Sequence, residues 1–320
     1  MQNLNITIIG AGIGGLTAAL ALQANGHRVR IHEQASSLGE VGAGVMLSPN
    51  AMRVFLKLGL GAKIAAQSIR PTFTAVRNSV DGRVLSHVEL QNSSDGAPFY
   101  YIHRADLHSI LVNAVYANDT DAIKLSSPYT GKEEFDCDVL VGADGIKSVV
   151  RQLVAGDVPT RFTGNVAWRG LVPIELLRPE SRQHESIVWV GPGRHVVRYA
   201  VRSGTLMNFV AITEQAEWQE EGWNTPANIQ SVLKEFADWH PEVLNILESV
   251  PNGSCYKWGL FDRDPLPRLV KGNIVLIGDA AHPMLPFMAT FNPSPPNFIG
   301  DPILRREIPN LKLSLSPLTY

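Results

Sequence analysis

Asn5-Ile6-Thr7-Ile8-Ile9-Gly10-Ala11-Gly12-Ile13-Gly14-Gly15 decides the fold of this chain. The first five residues are mostly β-branched and read as a strand. The glycines after them make a tight turn, and the Ala- and Leu-rich run Leu16 to Ala24 reads as a helix. Val29-Arg30-Ile31-His32 follows as a second short strand ending on Glu33. A Gly-x-Gly-x-x-Gly run between a strand and a helix, with an acid at the next strand end, is the fingerprint of a dinucleotide-binding βαβ unit. Gly10 permits the turn, Gly12 lets backbone approach a pyrophosphate, and Gly15 allows helix to pack on strand. The helix N-terminus stabilises the phosphate charge, and Glu33 is placed to accept from ribose hydroxyls.

A nicotinamide or a flavin dinucleotide could use that turn. The choice comes from Ile274-Val275-Leu276-Ile277-Gly278-Asp279-Ala280-Ala281-His282, a second strand end with an acidic side chain, far along the chain. Such a pairing suits a long cofactor whose ribityl hydroxyls lie across the sheet, and narrows the expectation to FAD. Glu40-Val41-Gly42-Ala43-Gly44-Val45 is a second glycine-rich loop, either a structural turn or a backbone surface for a flat ring, with Gly44 and Val45 the candidate contacts. Arg104 stands at the start of a helix reaching about Ala117, where a cation opposes the helix dipole, so a phosphate or ribityl partner is expected for it.

Composition excludes several classes. At 320 residues, 45% hydrophobic and 18% charged, the chain can bury a large core, while a net charge of −2 provides no global field for nucleic acid or an anionic membrane. No apolar run reaches the length of a spanning helix. Cys137 and Cys255 are far apart and match no metal or disulfide spacing, so no metal is expected. With no basic leader at Met1 to Asn5, the expected location is cytoplasmic.

Between Ile187 and Ile212, three strands joined by tight turns are expected, with His195, Val197 and Tyr199 projecting to one face. His195 is a candidate base for a phenolic proton and Tyr199 a candidate to orient a carboxylate or hydroxyl, the alternative being half-buried sheet residues with local hydrogen bonds. Trp168 and Trp189 are expected in the core.

Asp138-Val139-Leu140-Val141-Gly142-Ala143-Asp144-Gly145, followed by Ser148 and Arg151, resembles the second fingerprint of single-component flavoprotein monooxygenases, and Gly278-Asp279 resembles their third. Thr163 to Gly170 and Gly193 to Tyr199 are similar to salicylate hydroxylases and related hydroxybenzoate hydroxylases. The resemblance implies an α/β fold: a Rossmann-like FAD-binding domain (1–160 and 259–289) with an inserted, mainly antiparallel β-sheet substrate domain (161–258). It implies a monooxygenase that uses NAD(P)H and O₂ to hydroxylate a small phenolic or salicylate-like ring through a flavin C4a-hydroperoxide. Glu33 is then assigned to the ribose, Arg104 to the phosphate and ribityl region, Asp279 to the ribityl chain, and Asp144 to an element serving FAD and the nicotinamide donor. After Ala289 the resemblance implies Gln-Gly and a long helix, where this chain has Thr290-Phe291 and a proline-rich run. Residues 290–320 are expected to be an irregular, disordered tail, in a C-terminally truncated or divergent member. The alternative is a catalytically impaired remnant retaining partial FAD binding.

Overall fold

The structure is a computed structural model that describes residues 3–39, 43–90, 95–218 and 225–285. The chain divides into two compact units, 1–39 with 108–161 and 262–320, and 40–107 with 162–261.

The first unit is built on a six-stranded sheet. Its central strands are β1 (Asn5–Ile9), β2 (Arg28–His32) and β9 (Val139–Gly142), with β17 (Ile274–Leu276) beside β9 and β8 (Ile123–Lys124) beside β2, all parallel. The antiparallel β16 (Val270–Lys271) closes the other edge. All four residues of β9 are buried, as are the last four of β1, which is why both read as continuous apolar runs and not as alternation. Helix α1 (Ile13–Ala24) joins β1 to β2 and buries Leu16, Ala19 and Leu20. Helix α5 (Val149–Ala155) follows β9, and Val150 and Val154 pack with Ile9, Leu140 and Leu276.

The second unit holds an eight-stranded sheet in the order β14-β15-β10-β13-β12-β11-β5-β6. These strands are β5 (Phe73–Asn78), β6 (Val84–Glu89), β10 (Arg161–Pro173), β11 (Ser186–Gly191), β12 (Arg194–Val201), β13 (Leu206–Glu214), β14 (Thr225–Pro226) and β15 (Cys255–Asp262). The expected three-strand run is β11, β12 and β13, paired antiparallel. One face, carrying Trp168, Trp189, Val196 and Phe209, packs on α6 (Ile229–Glu235) and α7 (Pro241–Glu248) through Val232, Val243 and Ile246. Both tryptophans are core residues, 3% and 0% exposed. The remaining elements of this unit are a small sheet of β3 (Gly44–Leu47), β7 (Tyr100–His103) and β4 (Ser68–Ile69), and helices α2 (Pro49–Lys57) and α3 (Gly61–Ala66). Helix α4 (Arg104–Asn118) starts in this unit and runs on into the first.

The architecture is mixed α/β, as expected. The two compact units are divided differently from the expected domains: residues 40–107 and 259–261, expected with the nucleotide unit, fall with 162–258, and residue 161 falls with the first unit. Strand β5 pairs in parallel with β11 and brings β6 with it. Residues 290–320, including Thr290 and Phe291, lie outside the described residues.

Candidate functional site

In the first unit the three sequence fingerprints meet at the carboxyl ends of β1, β9 and β17, where open parallel sheets present their ligand-binding crevices. Gly10 has φ +103°, and a Cβ there would lie 2.4 Å from the Ala143 carbonyl oxygen. A Cβ on Gly15 would lie 2.1 Å from the Gly10 oxygen. Both are required by the protein itself. Gly12 is different: its φ of −71° suits any residue, and a side chain would meet nothing within 4 Å. The bare backbone at the N-cap of α1 therefore fits close approach by an anionic ligand, where unpaired helix N–H groups gather. On Gly14, a Cβ would reach 4.0 Å from Gly278 Cα, so the first and third turns abut.

Glu33 is tied to the first turn, accepting from the Ala11 N–H at 2.8 Å and the Ala35 N–H at 2.9 Å. The Ala11 carbonyl is held from the other side by the buried His108, whose Nε2 lies 2.8 Å away and must donate to it. His108 escaped the sequence reading because no local pattern links it to a turn 97 residues earlier. Asp144 uses both carboxylate oxygens locally. It accepts from the Ser148 hydroxyl at 2.5 Å and from the Val149 and Val150 N–H groups at 2.8 and 3.1 Å, capping α5 together with Ser148. Arg151 is buried and donates to the Ile146 carbonyl at 2.9 Å, anchoring the same corner. Asp279 is exposed in a single 3₁₀ turn, Gly278–Ala280, entered through Gly278 at φ +56°.

In the second unit, His195, Val197 and Tyr199 are half-buried and alternate with the buried Val196, Arg198 and Ala200, so they share the sheet face opposite the helix-covered core. Burial holds the His195 imidazole below its ordinary pKa and pushes the Tyr199 hydroxyl well up. The Tyr199 ring stacks on Tyr101, centroids 4.5 Å apart. Strand β3 crosses at this point: the Gly44 N–H donates to Asn208 Oδ1 at 2.8 Å, and Val45 pairs with Ile102 of β7. The same face carries Arg169, 9% exposed, with its guanidinium 5.3 Å from the Trp258 ring centroid and 5.9 Å from that of Tyr256. Its pKa is lowered by burial first and by the charge of Arg104 second. Arg104 begins α4, its N–H donating to the Ala43 carbonyl at 2.8 Å. That first turn is held by Asp106, which accepts from Arg202 at 2.8 and 3.1 Å. Sequence reading missed Arg169, Asn208 and Tyr101. The alternation of β10 was a usable signal for Arg169, because Trp168 in the core puts its neighbour on the opposite face.

Among the described residues, no group of three or more His, Cys, Asp or Glu is placed to hold a metal, and no helix is long and apolar enough to cross a membrane.

Comparison with known proteins agrees with this geometry. Residues 3–290 match the FAD binding domain family. The chain is 37% identical over 305 residues to a 3-amino-4-hydroxybenzoate 2-monooxygenase of Streptomyces cremeus, covering 90% of this chain and 75% of that one. It is 35% identical over 302 residues to 3-hydroxybenzoate 6-hydroxylase 1 of Aquipseudomonas alcaligenes, covering 89% and 76%. A salicylate hydroxylase substrate complex superposes with a TM-score of 0.73 at 26% identity, covering 90% of this chain and 75% of that one. The chain belongs to the FAD binding domain family, and within it to the FAD-dependent aromatic monooxygenases.

Proposed function

We propose that this enzyme consumes NAD(P)H and O₂ to hydroxylate a phenolic or salicylate-like aromatic ring. The observation that carries the reading is the half-buried row His195, Val197 and Tyr199 on the face of the large sheet opposite its helix-covered core, in a chain whose relatives are named for hydroxybenzoates. When bound, FAD supplies electron transfer from the nicotinamide and activation of O₂.

The protein's part is to bind, orient and move a proton. In our reading, Gly10, Gly12 and Gly15 cradle the pyrophosphate on the N-terminus of α1, and Glu33 receives the ribose hydroxyls while its bond to Ala11 keeps the turn in place. Asp279 and Arg104 serve the ribityl and phosphate region, and Asp144 acts through the corner it caps. Gly44 and Val45 offer backbone to the flat ring. An imidazole nitrogen of His195 accepts the phenolic proton. Tyr199, kept protonated by burial, donates a hydrogen bond to the ring's oxygen substituent. Both cysteines are free, which suits a reducing, cytoplasmic compartment.

The test is the visible spectrum of the purified chain, then NADH oxidation with 3-hydroxybenzoate or salicylate and the hydroxylated product counted per NADH. A yellow protein whose NADH consumption rises with either ring, with product to match, is the expected result. A chain that stays colourless after FAD is added would defeat the reading.

Two predictions follow from His195. Replacing it by alanine should lower kcat/KM about 100-fold, the lower range for a lost general base. Only neutral imidazole can accept the proton, and burial lowers its pKa, so the neutral form persists further into acid. The acid limb of kcat/KM should therefore lie below the ordinary histidine value, with activity falling as pH drops through it. That limb should vanish in the alanine variant. A wild-type limb centred above pH 7 would exclude this assignment.

A further inference from the structure

Asn208 belongs to none of the sequence fingerprints, yet it occupies the point where the small sheet meets the large one. It sits opposite Tyr199 in the β12–β13 ladder and is 1% exposed. Its Oδ1 accepts the Gly44 N–H at 2.8 Å. That bond fixes the orientation of the amide, since an N–H must face the oxygen. The other half, Nδ2, is buried with no hydrogen-bond partner among the described residues. An aliphatic side chain would bury no such donor, so the amide gains here only through what its oxygen holds. What it holds is a close approach: a Cβ on Gly44 would lie 2.4 Å from Tyr199 Cε2 and 2.9 Å from Asn208 Cγ. The β3 backbone is thus held close to the Tyr199 ring, which also stacks on Tyr101.

We propose that Asn208 is a positioning residue for the reaction: its side-chain carbonyl holds Gly44 against Tyr199 and so sets the height of β3 over the substrate-facing sheet. This rests on the reading above that Gly44 and Val45 meet the flavin and that Tyr199 meets the aromatic ring. One amide then ties a backbone segment that serves the cofactor to a side chain that serves the substrate. Losing it uncouples the two: NAD(P)H is still oxidised, but more of the O₂ leaves reduced as H₂O₂ and less of its oxygen enters the ring.

The test compares Asn208→Leu with Asn208→Asp in the full-length, FAD-loaded protein. Leucine has a similar size and no acceptor, whereas aspartate in either protonation state still accepts from Gly44. Two quantities are read: the FAD dissociation constant from flavin fluorescence, and hydroxylated product per NADH with 3-hydroxybenzoate. The second is a ratio taken over flavin-loaded molecules, so lost stability alone does not move it. For Asn208→Leu the expected result is an FAD dissociation constant raised about tenfold and a product ratio lowered about fivefold, with Asn208→Asp returning both to within about twofold of wild type. If the leucine variant does not fold, Asn208→Ala removes the same acceptor without adding bulk. An acceptor-free variant with both readouts unchanged, or an aspartate variant as impaired as the leucine one, would overturn the proposal. A wild-type chain that binds FAD but leaves 3-hydroxybenzoate untouched would overturn the substrate reading alone, and the FAD readout would still decide Asn208.

Discussion

The Gly12→Asp variant is expected to fold as well as the wild type and to purify without flavin. Gly12 is the N-cap of α1, with φ −71° and ψ 176°, a conformation open to every residue. Beyond Gly12 and its two chain neighbours, no atom lies within 4 Å of where its Cβ would be. Aspartate is among the best N-cap residues, its carboxylate accepting from the free N–H groups of the first turn. The apoprotein should therefore keep its melting temperature or gain slightly. Those same N–H groups are the ones proposed to hold the FAD pyrophosphate, so a fixed carboxylate both occupies them and repels the phosphates. The FAD dissociation constant should rise at least 100-fold, a loss of about 2.7 kcal/mol at about 1.4 kcal/mol per tenfold. Gly15→Ala supplies the contrast, since its methyl group would lie 2.1 Å from the Gly10 oxygen. There the helix must move off the strand, and stability falls along with binding. Fluorescence titration of FAD and thermal melts of both apoproteins separate the two cases. A Gly12→Asp chain that binds FAD within threefold of wild type would show that the pyrophosphate does not pass this turn.

The contrast between Gly12 and Gly15 also marks how far the sequence could be read. Strand, turn and helix from Asn5 to Ala24 were legible because their signals, a β-branched run, the glycine spacing and an Ala- and Leu-rich stretch, lie within one short segment, and β9 and β17 were legible as buried apolar runs. The partner of Phe73–Asn78 was not legible. It is β11, more than 100 residues later, and nothing in the alternation of one strand names its neighbour. That pairing, with the Gly44–Asn208, Tyr101–Tyr199 and Asp106–Arg202 contacts, puts residues 40–107 in the same compact unit as 162–261. At the site, sequence placed Asp144 at a strand end but could not tell a ligand-facing carboxylate from a helix cap, because both need the same residue at the same place. Asn208 and His108 were invisible for another reason: each acts on the backbone of a distant glycine-rich segment, and a backbone partner leaves no mark in composition.

Arg198 was legible in part. If His195, Val197 and Tyr199 face one way, Arg198 faces the core with Val196 and Ala200, and a core arginine must have a counter-charge. The structure supplies Glu242, in the first turn of α7, which accepts from Arg198 at 3.0 Å and from Arg77 at 3.2 Å. The Arg198 guanidinium also donates to the backbone carbonyls of Gln183 and Glu185, and its side chain is 0% exposed. Its pKa is lowered by burial and raised again by Glu242, the largest opposing influence. Glu242→Ala should therefore destabilise the second unit by about 3–5 kcal/mol, the usual cost of leaving a buried charge without its partner. At about 2–4 °C per kcal/mol, the melting temperature falls by roughly 6–20 °C. Arg77 loses less, because a quarter of its side chain already reaches solvent. The double variant Arg198→Met with Glu242→Leu should recover most of the loss, since apolar groups of similar volume carry no desolvation penalty. Denaturation melts of the flavin-free proteins check both, and a Glu242→Ala melt within 2 °C of wild type would mean that Arg198 is neutralised by its carbonyl contacts alone. The consequence reaches the chemistry because Arg198 sits on β12 between Val197 and Tyr199. A strand that must shift to bring a bare guanidinium to water moves the residues on its other face as well, so the single variant should lose hydroxylation at temperatures where it is still folded, and the double variant should not.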